Sequence, residues 1–212
     1  MKPLEYPLRR GGPNRLTVTR ENNWKNTVLT IDDKTIGTFA GGKALRKGDR
    51  FTLEDDSVLE VKLTWFGLKI HRNGAPIPGS VDDPKGKVDG AAFGVFFVGI
   101  ITSIVGLLGT IGVEFIANLG FSVPALIEGL IFVGLAYLIA KKLSMIALIA
   151  AIALYTANLG ISVMESAQPG GDSRPFGTVA VLIWIAMVQG VPALPKLKAE
   201  RAALKAEEEE TV

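Results

Sequence analysis

The sequence predicts a small β-rich soluble domain followed by an α-helical membrane bundle of four transmembrane helices. Two differences between the halves of the 212-residue chain indicate this fold class. Residues 1–89 carry 16 Lys or Arg and 12 Asp or Glu, whereas residues 90–195 carry three basic and four acidic residues. The first half also alternates apolar with polar residues in short runs, while the second contains long apolar segments. We therefore expect a domain boundary near Asp89.

Residues 1–14 are expected to form an N-terminal extension. They include basic side chains but no apolar run behind them, so they do not resemble a cleaved secretory signal. Entry into the membrane is then directed by the first internal span. The chain has no cysteine, which leaves no disulfide, no thiolate metal site and no thiol nucleophile.

Residues 15–80 are predicted to be an all-β domain of six or seven strands, either a small sandwich or a barrel. Apolar residues recur at every second position, which is the period of half-buried strands, in runs such as Leu59, Val61 and Leu63. Turn residues separate these runs. The strongest hairpin signal among them is Asn73-Gly74.

A linker rich in Pro and Asp, residues 81–89, is expected to hold the β domain close to the bilayer. Four transmembrane helices should follow within residues 90–195, because each apolar segment approaches the roughly 20 residues that a bilayer core requires. Pro192 and Pro195 are expected to end the last helix. The predicted spans are residues 90–113, 119–140, 143–163 and 176–194.

The basic residues that flank the spans fall on one side of the predicted bundle. They are Lys85, Lys87, Lys141, Lys142, Lys196, Lys198 and Arg201. The opposite loops carry Glu114 in one case and Glu165, Asp172 and a single Arg174 in the other. Because Lys and Arg near span ends are retained in the cytoplasm, both termini and the β domain are predicted to be cytoplasmic.

Two motifs in the β domain invite a functional interpretation. The segment 37–43 has the glycine and lysine spacing of a phosphate-binding loop, but Ala44 replaces the required Ser or Thr, and Gly48 leaves no room for a full helix. We favour a strand-connecting turn. His71 is the only histidine and cannot form a histidine metal cluster, so we expect a surface histidine. The aromatic residues Trp24, Trp65 and Phe66 are assigned to the β core or to a membrane-facing rim.

Glu128 is the candidate site residue within the spans. A carboxyl group inside the bilayer has a high free-energy cost and usually faces the bundle interior. Glu128 is as far from Lys141 as Tyr155 is from Lys142, so a hairpin of the second and third spans places them at similar depth. One interpretation is a proton or substrate site formed by Glu128, Tyr155 and Asn158. The alternative is a structural hydrogen bond from Glu128 to Tyr155, Thr156 or Asn158, which we favour because no second intramembrane charge accompanies Glu128.

Small residues recur on the faces of the predicted helices, as in Gly99, Ser103 and Gly106 of the first span and Ala125 and Gly129 of the second. Such faces allow close helix packing, either within one bundle or between copies. The charged tail, residues 196–212, begins basic and ends acidic. We expect a short helix that leaves the membrane and frays towards its end, with its basic start near anionic lipid headgroups.

Two segments resemble known families. The stretch 45–53, centred on Lys47-Gly48-Asp49, resembles the glycine-aspartate strand turn of forkhead-associated domains, and Arg72-Asn73-Gly74 resembles their Asn-Gly loop. Their order is reversed here, and the Ser, Arg and His stretch that reads phosphothreonine in that family is missing. The strand and turn spacing of residues 24–80 is similar to the β domains of Fas-apoptosis-inhibitory molecules. Neither resemblance carries over a functional residue.

The sequence therefore favours a non-enzymatic membrane anchor or scaffold whose cytoplasmic β domain binds a protein partner or self-associates. The alternative is a small oligomeric proton-coupled transporter or channel that uses Glu128. We expect no cofactor, no metal site and no nucleic-acid binding, because the basic excess of the soluble part is only four charges, 16 against 12. The lipid bilayer is the one partner that the sequence implies directly.

Overall fold

The computed structural model of this protein describes residues 3–113, 123–166 and 177–210. The chain divides into two compact units, Met1–Gly86 and Lys87–Val212. The beginning of the predicted second span, residues 119–122, and the loop residues Glu114, Asp172 and Arg174 lie outside the described residues.

The first unit contains two four-stranded antiparallel sheets. The first sheet has the order β1 (Leu4–Pro7), β2 (Asn14–Thr19), β3 (Thr27–Ile31) and β4 (Lys34–Phe39). A single 3-10 turn, Asn22–Trp24, lies between β2 and β3. The predicted N-terminal extension therefore contains a strand of the domain, because Leu4 and Tyr6 pair with Val18 and Leu16 of β2 and pack against the apolar core.

The second sheet has the order β5 (Asp49–Thr52), β6 (Val58–Thr64), β7 (Gly67–Arg72) and β8 (Ala75–Pro76). A short helix, α1 (Gly42–Lys47), connects the two sheets and packs on β6. The Asn73-Gly74 hairpin is confirmed. Both of its residues have positive φ, 50° and 79°, as a two-residue type I′ turn requires.

One hydrophobic cluster takes side chains from both sheets and from α1. It includes Leu16, Leu29, Leu45, Leu59 and Ile70, all 0% exposed. Gly37 of β4 lies under the ring of Phe51 of β5, where a Cβ would overlap it. No ladder joins these two strands. The sheets are therefore not closed, and the barrel alternative was wrong, because each sheet pairs only with itself.

The predicted linker is partly helical. Asp83 is 5% exposed, and its carboxylate accepts hydrogen bonds from Gly79 N at 2.9 Å and Lys85 N at 3.0 Å. Arg10 forms an ion pair with Asp83 at 2.6 Å. The bond from Lys85 N makes Asp83 the N-cap of a helix whose first residue is Pro84. An Asp N-cap followed by Pro is common at helix starts.

Four long helices follow: α2 (Pro84–Thr110), α3 (Val123–Lys142), α4 (Met145–Ser166) and α5 (Gly177–Glu210). Within the described residues, three helices are long and apolar enough to cross a membrane, Pro84–Thr110, Val123–Lys142 and Val179–Ala206. The apolar part of α4, Met145–Ile161, is shorter. The sequence predicts four spans, and the structure accounts for three by this measure.

The last helix does not end at its prolines. It continues through Pro192 and Pro195 to Glu210, contrary to the prediction. Each proline removes one backbone hydrogen bond, which a long helix tolerates where neighbours support it. Here Ala193, Leu194 and Leu197 are buried in the helical core around the two prolines, and this packing offsets the missing bonds.

The helices of the second unit pack through small residues. A Cβ on Gly99 would lie 2.8 Å from Val133 N, and a Cβ on Gly106 would lie 2.8 Å from the carbonyl carbon of Ala125. Nearer the start of α2, a Cβ on Gly190 of α5 would lie 2.8 Å from Ala91 Cβ. The small-residue faces of α2 and α3 therefore meet each other within one bundle.

Candidate functional site

Glu128 and Asn158 are brought together by the hairpin of α3 and α4. The amide Nδ2 of Asn158 donates a hydrogen bond to Glu128 Oε1. The hairpin turns at Leu143, which has a φ of 48°, and the hydroxyl of Ser144 then accepts a hydrogen bond from Ala147 N at 3.2 Å. That bond caps the start of α4.

The position of this turn explains which partner Glu128 meets. The sequence placed the turn at Lys141-Lys142, which would set Glu128 opposite Tyr155. The hydrogen-bonded residues are 30 positions apart, and Leu143 lies midway between them. Because the turn comes slightly later than expected, the residue opposite Glu128 moves along α4 from Tyr155 to Asn158.

Tyr155 belongs to a different contact. It is 8% exposed, and its hydroxyl donates to the carbonyl of Ala180 on α5 at 3.3 Å. The structure therefore brings two of the three predicted site residues together and assigns the third to the interface between α4 and α5.

A second polar contact joins the same two helices. The indole Nε1 of Trp184 donates to Thr156 Oγ1 at 3.0 Å, and the Thr156 hydroxyl donates to the carbonyl of Ile152 at 2.7 Å. Thr156 is adjacent in sequence to Tyr155, so the polar residues form a band across α4. The bond from Thr156 to Ile152 lies within α4, and the bonds of Asn158, Tyr155 and Trp184 each link two neighbouring helices.

Ser103 of α2 extends this band towards α3. Its hydroxyl is buried and has no hydrogen-bond partner among the described residues. It lies directly against Gly129, the residue after Glu128, and any side chain at Gly129 would overlap it. Gly129 therefore determines how closely α2 approaches the helix that carries Glu128.

The chemistry available in this band is limited. Within the described residues, no group of three or more His, Asp or Glu side chains could hold a metal ion. Asn158 offers an amide donor, and a carboxyl group has an oxygen that can accept it whether or not the carboxyl carries a proton. The arrangement is therefore suited to helix pairing, and proton exchange would require water to reach Glu128.

The motifs of the β domain have structural roles in this fold. The helix after the glycine-rich segment is the six-residue α1, which ends at Gly48 with a φ of 80°. His71 is less exposed than a surface histidine, with 17% of its side chain accessible. Its Nε2 lies 3.3 Å from Asp82, which also pairs with Lys69 at 2.7 Å.

Charged side chains line a groove between the two sheets, with a volume of about 550 Å³. Arg15 bonds Asp32 and lowers the pKa of that carboxyl, and Lys34 lies 2.7 Å from Glu54 and lowers the pKa of Glu54. Hydrogen bonds from Ser57 lower the pKa of Asp55, which also pairs with Arg72. The groove therefore carries matched charges.

Sequence reasoning missed the turn at Trp65-Phe66. Thr64 pairs with Gly67, so these two aromatic residues form the whole loop between β6 and β7. They are 90% and 81% exposed, which assigns them to neither the core nor the ladder. The available signal was the four-residue interval, containing Gly67, between alternating runs that end at Leu63 and begin at Leu68.

No family model matches this chain, and no curated protein or solved structure matches it either.

Proposed function

We propose that this chain is a non-enzymatic membrane scaffold in which four transmembrane helices anchor a cytoplasmic β domain that binds a protein partner or a second copy. The observation that carries this proposal is Asp83, which joins Arg10, the loop at Gly79 and the first turn of α2. These contacts connect the β domain to the first turn of α2. Such a connection supports a scaffold, because a scaffold must hold its binding domain next to its anchor.

The proposed topology counts α4 as the fourth span. This helix has 22 residues, and at about 1.5 Å of rise per residue it reaches about 33 Å, enough for a core of about 30 Å. An even number of spans places both termini on one side, and the flanking lysines favour the cytoplasm. Because the chain has no cysteine, single thiols at Ala44 and Ala167 test this with an impermeant reagent in intact cells. We expect labelling at position 167 alone, and labelling at position 44 alone would contradict the topology.

Photo-cross-linking in the native membrane tests the scaffold function. A benzophenone amino acid at Lys34 or Arg50, both exposed on the β domain, should give a discrete adduct with a partner or a second copy. The matched control is Ile131, whose exposed side chain lies on α3 and should give lipid adducts only. If neither β-domain position gives a protein adduct above this control, the scaffold proposal fails.

The transporter alternative depends on Glu128, and the Asn158 contact favours a structural role for it. Glu128→Gln keeps an oxygen acceptor for Asn158, whereas Glu128→Ala removes it. We expect Gln to keep the thermal stability of the bundle and Ala to lower it by about 0.6 kcal/mol and at most about 2 kcal/mol. Proton flux into vesicles should be absent for the unaltered protein and for both variants. Flux that disappears in Glu128→Gln would favour transport.

A further inference from the structure

The Trp65-Phe66 tip is anomalous for a water-exposed turn. Trp65 and Phe66 are the only exposed large hydrophobic side chains among the described residues of the β domain, 3–86. Neither residue contributes to the core cluster. Two-residue hairpin loops favour residues such as Asn-Gly, so the turn itself gives no reason for two large aromatic rings. An exposed apolar feature of this kind indicates a docking site.

The tip is held in a fixed conformation. The hydroxyl of Thr64 donates to the carbonyl of Gly67 at 2.8 Å, which closes the loop from inside. Gly67 has a φ of 131°, a backbone conformation that side chains rarely adopt. The rings are therefore presented by a loop that a hydrogen bond already closes, which lowers the ordering that docking requires.

One cation lies beside the tip, and others lie on the same helix and on the preceding strand. The guanidinium carbon of Arg46 lies 5.2 Å from the centre of the Trp65 ring, and α1 also carries Lys43 and Lys47. Lys62 is exposed on β6, two residues before Thr64. None of these lysines has a carboxylate partner among the described residues. The acid nearest along the chain, Glu60, is already paired with Arg50 at 2.6 Å.

The chain next to the tip leads directly to the first long helix. Val81 N donates to the carbonyl of Leu68 at 3.0 Å, so the base of the tip is hydrogen-bonded to the segment before α2. Nine positions separate Val81 from Gly90, where the apolar part of α2 begins. Even a fully extended chain of this length spans at most about 32 Å. The tip therefore stays within reach of whatever surface that helix enters.

We propose that the Trp65-Phe66 tip docks in the headgroup region of an anionic bilayer, with both rings in the interface and Arg46, Lys43 and Lys62 against lipid phosphates. Trp rings favour the membrane interface, and basic residues are attracted to anionic leaflets. The proposal depends on the proposed membrane anchoring. It adds a second attachment point, which would hold the β domain in one orientation at the membrane.

Nitroxide labels in the full chain test this docking. Phe66→Cys, Ala75→Cys and Ile131→Cys are labelled separately and reconstituted in phosphatidylcholine vesicles with and without phosphatidylglycerol. Accessibility to oxygen, which concentrates in lipid, is compared with accessibility to a water-soluble nickel complex. Ala75 is exposed beside the Asn73-Gly74 turn and serves as the aqueous control. Ile131 is the bilayer control.

We expect the label at position 66 to favour oxygen when phosphatidylglycerol is present and to favour nickel without it. Arg46→Gln should shift it towards nickel, while Lys34→Gln, which removes the same charge from β4, should not. If position 131 favours oxygen and position 66 stays aqueous, tip docking fails and anchoring stands. If neither favours oxygen, anchoring fails as well. If the label at position 66 is inaccessible to nickel even in detergent, and becomes less accessible as protein concentration increases, a second copy covers the tip and the proposal is overturned.

Discussion

The β domain and the helical bundle arrange polar and apolar groups in opposite ways. In the β domain the apolar side chains form the core, and the charged ones pair at the surface, as Arg15 does with Asp32. In the bundle the polar contacts lie between helices, as in Asn158 with Glu128, and large apolar side chains such as Phe93 face outwards. Burial from water stabilises the first region. The second depends on close packing and interhelical hydrogen bonds.

A large core side chain should show the strongest contrast between the regions. Leu59 of β6 is 0% exposed, and Leu59→Ala leaves a cavity in a hydrophobic core that is buried from water. We expect the β domain to lose about 2–5 kcal/mol of unfolding free energy. Hydrogen exchange of the β6 and β7 backbone amides in the full chain would measure this.

The matched change in the bundle is Ile131→Ala. Ile131 is 48% exposed on α3, and under the proposed membrane anchoring lipid tails would replace the lost side-chain contacts. We expect little change in the exchange of α3 amides in vesicles. If Ile131→Ala destabilises α3 as much as Leu59→Ala destabilises the β sheets, the contrast between the regions is wrong.

Small residues should be the sensitive positions of the bundle. A Cβ at Gly129 would lie 2.7 Å from the carbonyl oxygen of Gly99 and would also overlap Ser103. Gly129→Ala therefore separates α2 from α3, and we expect a loss of about 1–3 kcal/mol. Thermal unfolding in detergent, followed by size-exclusion chromatography, measures this loss.

Gly134 supplies the control on the same helix, because nothing lies within 4 Å of an added Cβ there. Gly134→Ala should leave the bundle unchanged or stabilise it by at most about 1 kcal/mol, since Ala is the better helix former. Equal destabilisation by both substitutions would assign the effect to detergent or to the unfolded state rather than to packing.

The sequence predicted the alternating strands of the β domain well, because the period-two pattern and Asn73-Gly74 are local signals. It missed β1, whose place in the sheet depends on pairing with β2. It also treated residues 81–89 as a plain linker, since nothing local indicates that Arg10 and Asp83 meet. Helix positions followed from hydropathy, but the continuation of α5 through Pro192 depends on packing that sequence does not specify.

The candidate site was predicted in part for a similar reason. Polarity alone singled out Glu128, and hairpin symmetry brought it to the correct stretch of α4. The exact partner depended on the turn at Leu143, a residue with positive φ that no turn preference predicts. The aromatic tip was missed because Trp and Phe are strand residues by propensity, and only the ladder shows that they lie between strands.

Acid should affect the two regions unequally, although this is the smallest effect. Arg15 lowers the pKa of Asp32 from its ordinary 3.8, and Lys34 lowers that of Glu54 from 4.5. A lowered pKa gives stability that is complete above the ordinary value and is lost as the pH falls through the folded one. Lys34 lies on β4 and Glu54 follows β5, so this pair links the two sheets.

Acidification from about pH 6 to about pH 3 should therefore raise the exchange of β4 and β5 amides, corrected for intrinsic rates, more than that of α3 amides. The change should be small, because these carboxylates are exposed and solvent screens them. The Lys34→Gln, Glu54→Gln double variant removes the link between the sheets and should reduce the response. An undiminished response in that variant would assign the acid sensitivity to other carboxylates rather than to the Lys34–Glu54 pair.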